Sequence, residues 1–233
     1  MDHQQLSMRL KKVADFVPKG AKLADIGSDH AYLPAYLVIN QQILSGIAGE
    51  VVKGPFESAK SLVNELDLSS VIDVRLGDGL DVLEASDCVS VITICGMGGT
   101  LIRDILERGK QNNKLTGHER LILQPNIGSQ VLRSWLSKES YVIIDELIIK
   151  ENGKIYEIIV ADKSSESSEL SKKEQMFGPV LLQDPTDIFK EKWLQEKDQF
   201  SNILKQLEQS RETQDKKIKE VTDKITLIEE VLS

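Results

Sequence analysis

Short runs of aliphatic and β-branched residues recur through the first two thirds of the chain, at positions 22–26, 46–50, 71–76, 89–94 and 121–124. Between them the apolar residues fall at helical spacing. Phe56, Ala59, Leu62, Val63 and Leu66 form one such stripe, Leu101, Ile102, Ile105 and Leu106 a second, and Val131, Leu132, Trp135 and Leu136 a third. The first stripe opens at Gly54–Pro55, where proline suits an opening turn because its missing amide hydrogen has no intrahelical partner there. Apolar strands alternating with amphipathic helices predict an α/β domain, a doubly wound, Rossmann-like parallel sheet covered on both faces.

The alternation stops near residue 140. Positions 141–149 and 154–161 are both strand-like, and the turn between them holds Asn152 and Gly153, which accept the positive φ that a tight hairpin needs. The sheet is therefore expected to end in an antiparallel hairpin. Residues 162–178, rich in serine and charge, read as a linker. Beyond Pro185 neither glycine nor proline occurs. There Phe200, Leu204, Leu207, Arg211, Gln214, Ile218, Val221, Ile225, Ile228 and Leu232 follow at intervals of four and three. That heptad seam, polar in its middle, predicts a C-terminal α-helical coiled-coil hairpin of helices 186–209 and 214–232, turning near residues 210–215. One continuous helix is the rival. The expected division is 1–161 for the sheet domain, 162–185 for the linker and 186–233 for the helical extension.

A length of 233 residues accommodates one full domain and a smaller appendage. No stretch approaches the roughly 20 apolar residues of a membrane span, and the first residues lack the apolar core of a secretory signal. Cys88 and Cys95 are the only cysteines, and His3 and His118 have no ligand-like spacing, so neither a disulfide framework nor a metal site is expected. These features predict a soluble, cytoplasmic protein with no metal and no membrane partner; they leave oligomeric state open, with a monomer favoured. The net charge of −8 argues against a broadly basic surface but says nothing of local distribution. Arg9, Lys11, Lys12 and Lys19 make the start locally basic. From residue 186 onward nine Lys and Arg face eleven Asp and Glu.

In a doubly wound sheet, ligands bind at the carboxyl ends of the strands. Those turns read Asp25-Ile26-Gly27-Ser28-Asp29-His30-Ala31, Glu50-Val51, Gly77-Asp78-Gly79, Cys95-Gly96-Met97-Gly98-Gly99 and Gln124-Pro125-Asn126. Each carries a glycine, a carboxylate or an amide. A nicotinamide cofactor wants three glycines after the first strand, so that the backbone can approach a pyrophosphate. Here one glycine is followed by Asp29, which would repel phosphate, and no P-loop is present. S-adenosylmethionine has no phosphate and carries two positive groups, so acids at the first turn suit it. Glu50 can accept from ribose hydroxyls and Asp78 from the adenine amino group. Asp25 has the alternative role of helix cap, and His30 that of a packing residue. Cys95 reads as a small wall residue, with no basic partner to activate it.

The segments DIGSDHAYLP, AGEVVKGP, RLGDGL, ICGMGGTLI and LILQPN occur here in that order. Together they resemble the bacterial tRNA (adenine-22-N1)-methyltransferase family, the TrmK group, over about residues 1–161, and the helical tail is similar to that family's coiled-coil extension. The resemblance implies a class I S-adenosylmethionine-dependent enzyme that transfers methyl in line to N1 of an adenine in tRNA. It implies a cofactor set of Asp25, Gly27, Ser28, Asp29, His30, Glu50, Val51, Gly77, Asp78, Gly79, Cys95, Gly96, Met97 and Gly98. Asp29 is the catalytic candidate, to stabilise the developing cation or accept its proton. Gln124, Pro125 and Asn126 are candidates for holding the Watson–Crick edge of an extruded adenine. Arg9, Lys11, Lys12, Arg133 and lysines of the tail are candidates for docking RNA. Two alternatives stand beside this: a nicotinamide-dependent oxidoreductase, and a non-catalytic RNA-binding protein on the same fold.

Overall fold

The structure, a computed structural model, describes residues 4–166, 169–209 and 214–233. The predicted strands form as β1 (Ala21–Ile26), β2 (Ile43–Glu50), β3 (Ile72–Leu76), β4 (Val91–Gly98), β5 (Arg120–Ile127), β6 (Tyr141–Glu151) and β7 (Lys154–Lys163). They make one sheet in the order β3-β2-β1-β4-β5-β7-β6. The first five strands are parallel, and β7 runs antiparallel to both β5 and β6. The hairpin turn takes positive φ at both Asn152 (+50°) and Gly153 (+75°), which matches the right-handed twist of its strands. Strand β4 runs on past residue 94, so Cys95–Gly98 is irregular strand backbone, with breaks in register on either side of Met97.

Helices cover both faces. The predicted three are α3 (Lys53–Glu65), α4 (Gly99–Gln111) and α5 (Ser129–Lys138); α1 (Met8–Asp15) and α2 (Tyr32–Ile39) are additional. Alternate residues of a strand point to opposite faces. Thus Leu121 and Leu123 pack with Ile102, Leu106, Leu132 and Leu136 on one side of the sheet. Ile122 packs with Val13, Leu33 and Leu37 on the other.

The expected linker is more structured than its composition suggests. Strand β7 continues into it, and α6 (Lys172–Phe177) opens with a reciprocal Ser171–Glu174 capping box and buries Met176 and Phe177. Two apolar residues in a serine-rich stretch are enough to pin it. The contact pattern divides the chain after Val180. The second unit holds α7 (Asp187–Glu208) and α8 (Asp215–Leu232). The ion pair of Lys197 with Glu229 (2.8 Å) and the placement of Lys224 Nζ 5.1 Å from the Phe200 ring centre make the pair antiparallel, with Ile228 fully buried in the seam. Of the segment expected to turn, 210–215, residues 210–213 with Arg211 lie outside the described residues, as does His3.

Candidate functional site

Strand β1 sits between β2 and β4, and the connections leave it in opposite directions. The crevice this opens at the carboxyl ends of the strands holds a cavity of about 250 Å³, lined by Arg9, Leu10, Asp25, Gly27, Ser28, Asp29, Leu33, Cys95, Gly96 and Met97. A larger cavity of about 360 Å³ lies at the opposite, amino-terminal ends of β4 and β5, among Leu83, Val89, Ile92 and Lys114. Its buried acid, Glu119, is occupied by the Thr116 hydroxyl and by the amides of Gly117 and His118. The chemistry-bearing groups are at the carboxyl ends.

Asp25 is buried, and both carboxylate oxygens accept hydrogen bonds, from Ser28 Oγ (2.6 Å) and Thr93 Oγ1 (2.6 Å). Burial nevertheless pushes its pKa up to about 6, with the nearby Glu50 adding to the effect. Asp25 is thus a wall acid of the cavity and caps no helix. Glu50, at the end of β2, is also buried; its carboxylate accepts the Asp29 amide, and burial raises its pKa. Gly27 has φ +70°, and a Cβ there would lie 2.0 Å from Met97 Cε. Three non-glycine residues follow in left-handed backbone: Asp29 (+42°), His30 (+70°) and Ala31 (+56°). Such residues cost on the order of 1–3 kcal/mol each and collect where function requires them. The Glu50 carboxylate holds this run in place. The Asp29 side chain is largely exposed, 3.5 Å from His30 Nε2, and His30 stacks on Tyr32 with ring centres 5.3 Å apart.

Gly96 (φ +77°) forms the opposite wall and is tied at both ends. Its amide donates to Gln124 Oε1 (3.0 Å), and its carbonyl accepts from Asn126 Nδ2 (2.7 Å). Gln124 is fully buried; it also accepts from Arg9 and donates to the Pro125 carbonyl (2.8 Å), so its amide supports the Gly96 turn and does not face the crevice. Pro125 is buried beside it, while Asn126 is exposed. Arg9 lies over the Tyr156 ring (5.3 Å to its centre) and reaches the cavity. The Cys95 thiol is pushed far up by burial and by Asp25, which leaves it protonated and unreactive.

On the β2–β3 side, Gly77 donates to the Glu50 carbonyl (2.8 Å) and Gly79 turns with φ +59°. The Asp78 carboxylate is paired with Arg108 of α4 (2.6 Å), and Val51 is 61 % exposed. Gly98 has open space around it, whereas a Cβ on Gly99 would lie 2.3 Å from the Gly128 carbonyl oxygen. Gly99 therefore serves backbone packing, and Gly98 leaves room.

Arg133 does not dock RNA. It is wholly buried, bonded to Glu146 (2.6 Å), Glu157 (3.0 Å) and the Met176 carbonyl (3.2 Å). Its two carboxylate partners come from the hairpin, which nothing local in α5 announces. Lys12 is paired with Asp15 (3.0 Å) and Lys11 is exposed. Two supporting residues escape a reading of the sequence. Thr93, a lone hydroxyl inside an apolar strand, was a usable signal; Tyr156 was not, because only the hairpin register brings it under Arg9.

Comparison with known proteins agrees with this geometry. The model of the family described as TrmK, tRNA (adenine(22)-N(1))-methyltransferase, matches residues 23–230. The tRNA (adenine(22)-N(1))-methyltransferase of Bacillus subtilis is 47 % identical, over 100 % of this chain and 99 % of its own. The crystal structure of the B. subtilis tRNA methyltransferase TrmK superposes with a TM-score of 0.92 at 46 % identity, covering 98 % of this chain and 99 % of that one. A Streptococcus pneumoniae relative solved with S-adenosyl-L-methionine gives 0.88 at 44 % identity, covering 98 % and 100 %.

Proposed function

The chain belongs to the tRNA (adenine(22)-N(1))-methyltransferase family, and from that premise we propose how its own residues serve methyl transfer to N1 of adenine 22. The activity is S-adenosylmethionine-dependent, and family membership sets aside the nicotinamide and non-catalytic alternatives. When bound, S-adenosylmethionine supplies an electrophilic methyl group. The observation that carries the assignment is the pairing of opposite charges in one cavity, which Asp25 and Arg9 both line. An amino-acid zwitterion fits such a pair, its ammonium toward Asp25 and its carboxylate toward Arg9. On this reading Arg9 serves the cofactor while its side chain rests on Gln124 of β5 and Tyr156 of β7. Glu50 would hold ribose hydroxyls and Val51 would lie against the adenine ring. Asp78, engaged by Arg108, would reach the base only by releasing it.

The acceptor enters from the β4–β5 side. Asn126 spends one amide hydrogen on Gly96 and keeps its carbonyl oxygen for the 6-amino group of adenine. Asp29, exposed at the mouth, is the carboxylate able to stabilise the positive charge that appears on the base. Positioning does most of the remaining work, since aligned reactants recover about 7–11 kcal/mol of a barrier. We place the enzyme in the cytoplasm with tRNA, acting as a monomer; no helix among the described residues is long and apolar enough to cross a membrane.

The test is transfer of labelled methyl to an unmodified tRNA transcript with adenine at position 22, beside one with guanine there. Label in the first alone is expected. Label in both overturns the site, and label in neither overturns the activity. Asp29→Asn should lower turnover while leaving cofactor affinity intact; full turnover removes Asp29 from the chemistry.

A further inference from the structure

N1 lies on the Watson–Crick edge of adenine, so a stacked and paired target must leave its helix before it reaches a methyl donor. Extrusion opens a gap in the base stack, and proteins that unstack nucleic acid commonly fill such gaps with an apolar wedge. Resting on the acceptor assignment above, we propose that Ile127 is that wedge, its side chain occupying the place in the tRNA stack that the target adenine vacates.

Ile127 is 76 % exposed, the most exposed large aliphatic side chain among the described residues. A single exposed aliphatic is ordinary on a protein surface; the placement of this one is not. It ends β5, next to Asn126, whose amide closes the Gly96 wall of the crevice. Its backbone is fixed from several directions. It pairs with Gly98 in the β4–β5 ladder, and Gly128 (φ +79°) then turns the chain into α5. Gly99 abuts the carbonyls of Ile127 and Gly128 so closely that a Cβ would lie 3.0 and 2.3 Å from their oxygens.

A β-branched side chain is stiff about χ1, so a rigid backbone presents it in one direction. Leu101, in the first turn of α4, is 53 % exposed on the same sheet edge and gives a second apolar surface. The other exposed aliphatics of that edge, Val51, Val52 and Leu76, follow or end β2 and β3, on the cofactor side of β1. The exposed apolar side chains of this edge therefore fall into two groups, one on either side of β1.

The experiment compares wild type with Ile127→Ala and Ile127→Leu on two transcripts: one fully paired at the target, the other with the opposing base changed so that it cannot pair. Readouts are kcat/KM for tRNA, calorimetric affinity for S-adenosylmethionine, and the fluorescence of 2-aminopurine placed at the target. Removing three carbons from a contact predicts a roughly 10- to 50-fold loss of kcat/KM for Ile127→Ala on the paired transcript. That loss should shrink to within about threefold on the mismatched one. Cofactor affinity should stay within about twofold, the 2-aminopurine signal of extrusion should fall, and Ile127→Leu should retain most activity. Equal losses on both transcripts, no loss on either, or a parallel loss of cofactor affinity overturns the wedge. Wild type that binds cofactor yet methylates neither transcript overturns the acceptor assignment, and the wedge with it.

Discussion

Asp25→Asn should make the ligand-free protein more stable while disabling it. The carboxyl titrates near pH 6, against an ordinary value of 3.8. Because the folded value is the higher one, the contribution of this group to stability is full below pH 3.8 and is lost as pH rises through 6. The gap corresponds to about 3 kcal/mol of strain carried by the free protein at neutral pH. Asparagine has the same shape and no charge to desolvate; of the Ser28 and Thr93 hydroxyls, the one facing its carbonyl oxygen goes on donating and the one facing its NH2 can rotate to accept. Thermal unfolding at pH 7.5 should therefore shift upward by several degrees. On the proposed assignment the cofactor's ammonium needs the charged form of Asp25, so affinity for S-adenosylhomocysteine should fall about tenfold between pH 7 and pH 5 in wild type. In Asp25→Asn it should be 10- to 100-fold weaker throughout and flat with pH, in line with losing a charged hydrogen bond. Calorimetric titration at pH 5, 6 and 7.5 measures both. A variant that melts lower at neutral pH, or a wild type whose affinity ignores pH, would refute the reasoning.

Gly98→Ala and Gly99→Ala separate ligand room from backbone packing. The first meets nothing within 4 Å, so it should melt like wild type yet lose methyl transfer; undiminished transfer would show that the open space is unused. The second drives a Cβ into the Gly128 carbonyl and should cost about 1–3 kcal/mol in urea unfolding. Arg133→Ala takes the buried guanidinium away from Glu146 and Glu157 and should cost about 3–5 kcal/mol at pH 8. Since burial already raises the Glu146 pKa, protonation relieves that deficit as pH falls; a deficit that grows toward acid would contradict this account.

Most of the architecture was readable along the chain because strand and helix periods differ and hairpin turns need particular residues. Helix α2 was not, since Leu33, Pro34, Ala35 and Leu37 are all buried and leave no polar face to mark a period. The edge of the sheet that carries chemistry was legible for a topological reason: strand ends collect acids and glycines whatever the helices do. Which way a side chain turns was not. Gln124 and Asn126 are two residues apart and alike in chemistry, yet one is buried as a brace and the other exposed. Arg133 resembled a surface cation because its partners lie 13 and 24 residues further on, joined to it only by the fold.

The placement of β7 between β5 and β6 also sets an order of events at the ribosome. The chain makes β6 before β7, but β5 pairs with β7. Until residue 163 has emerged, β5 presents an open edge to other nascent chains, the kind of template on which strands aggregate. The arginine of α5 meanwhile waits for both of its carboxylates. Folding of the parallel layer is thus tied to translation of a hairpin that does not line its crevice, and a message broken between β5 and β7 yields a polypeptide carrying every residue of the candidate cofactor set on a sheet whose β5 edge is unpaired.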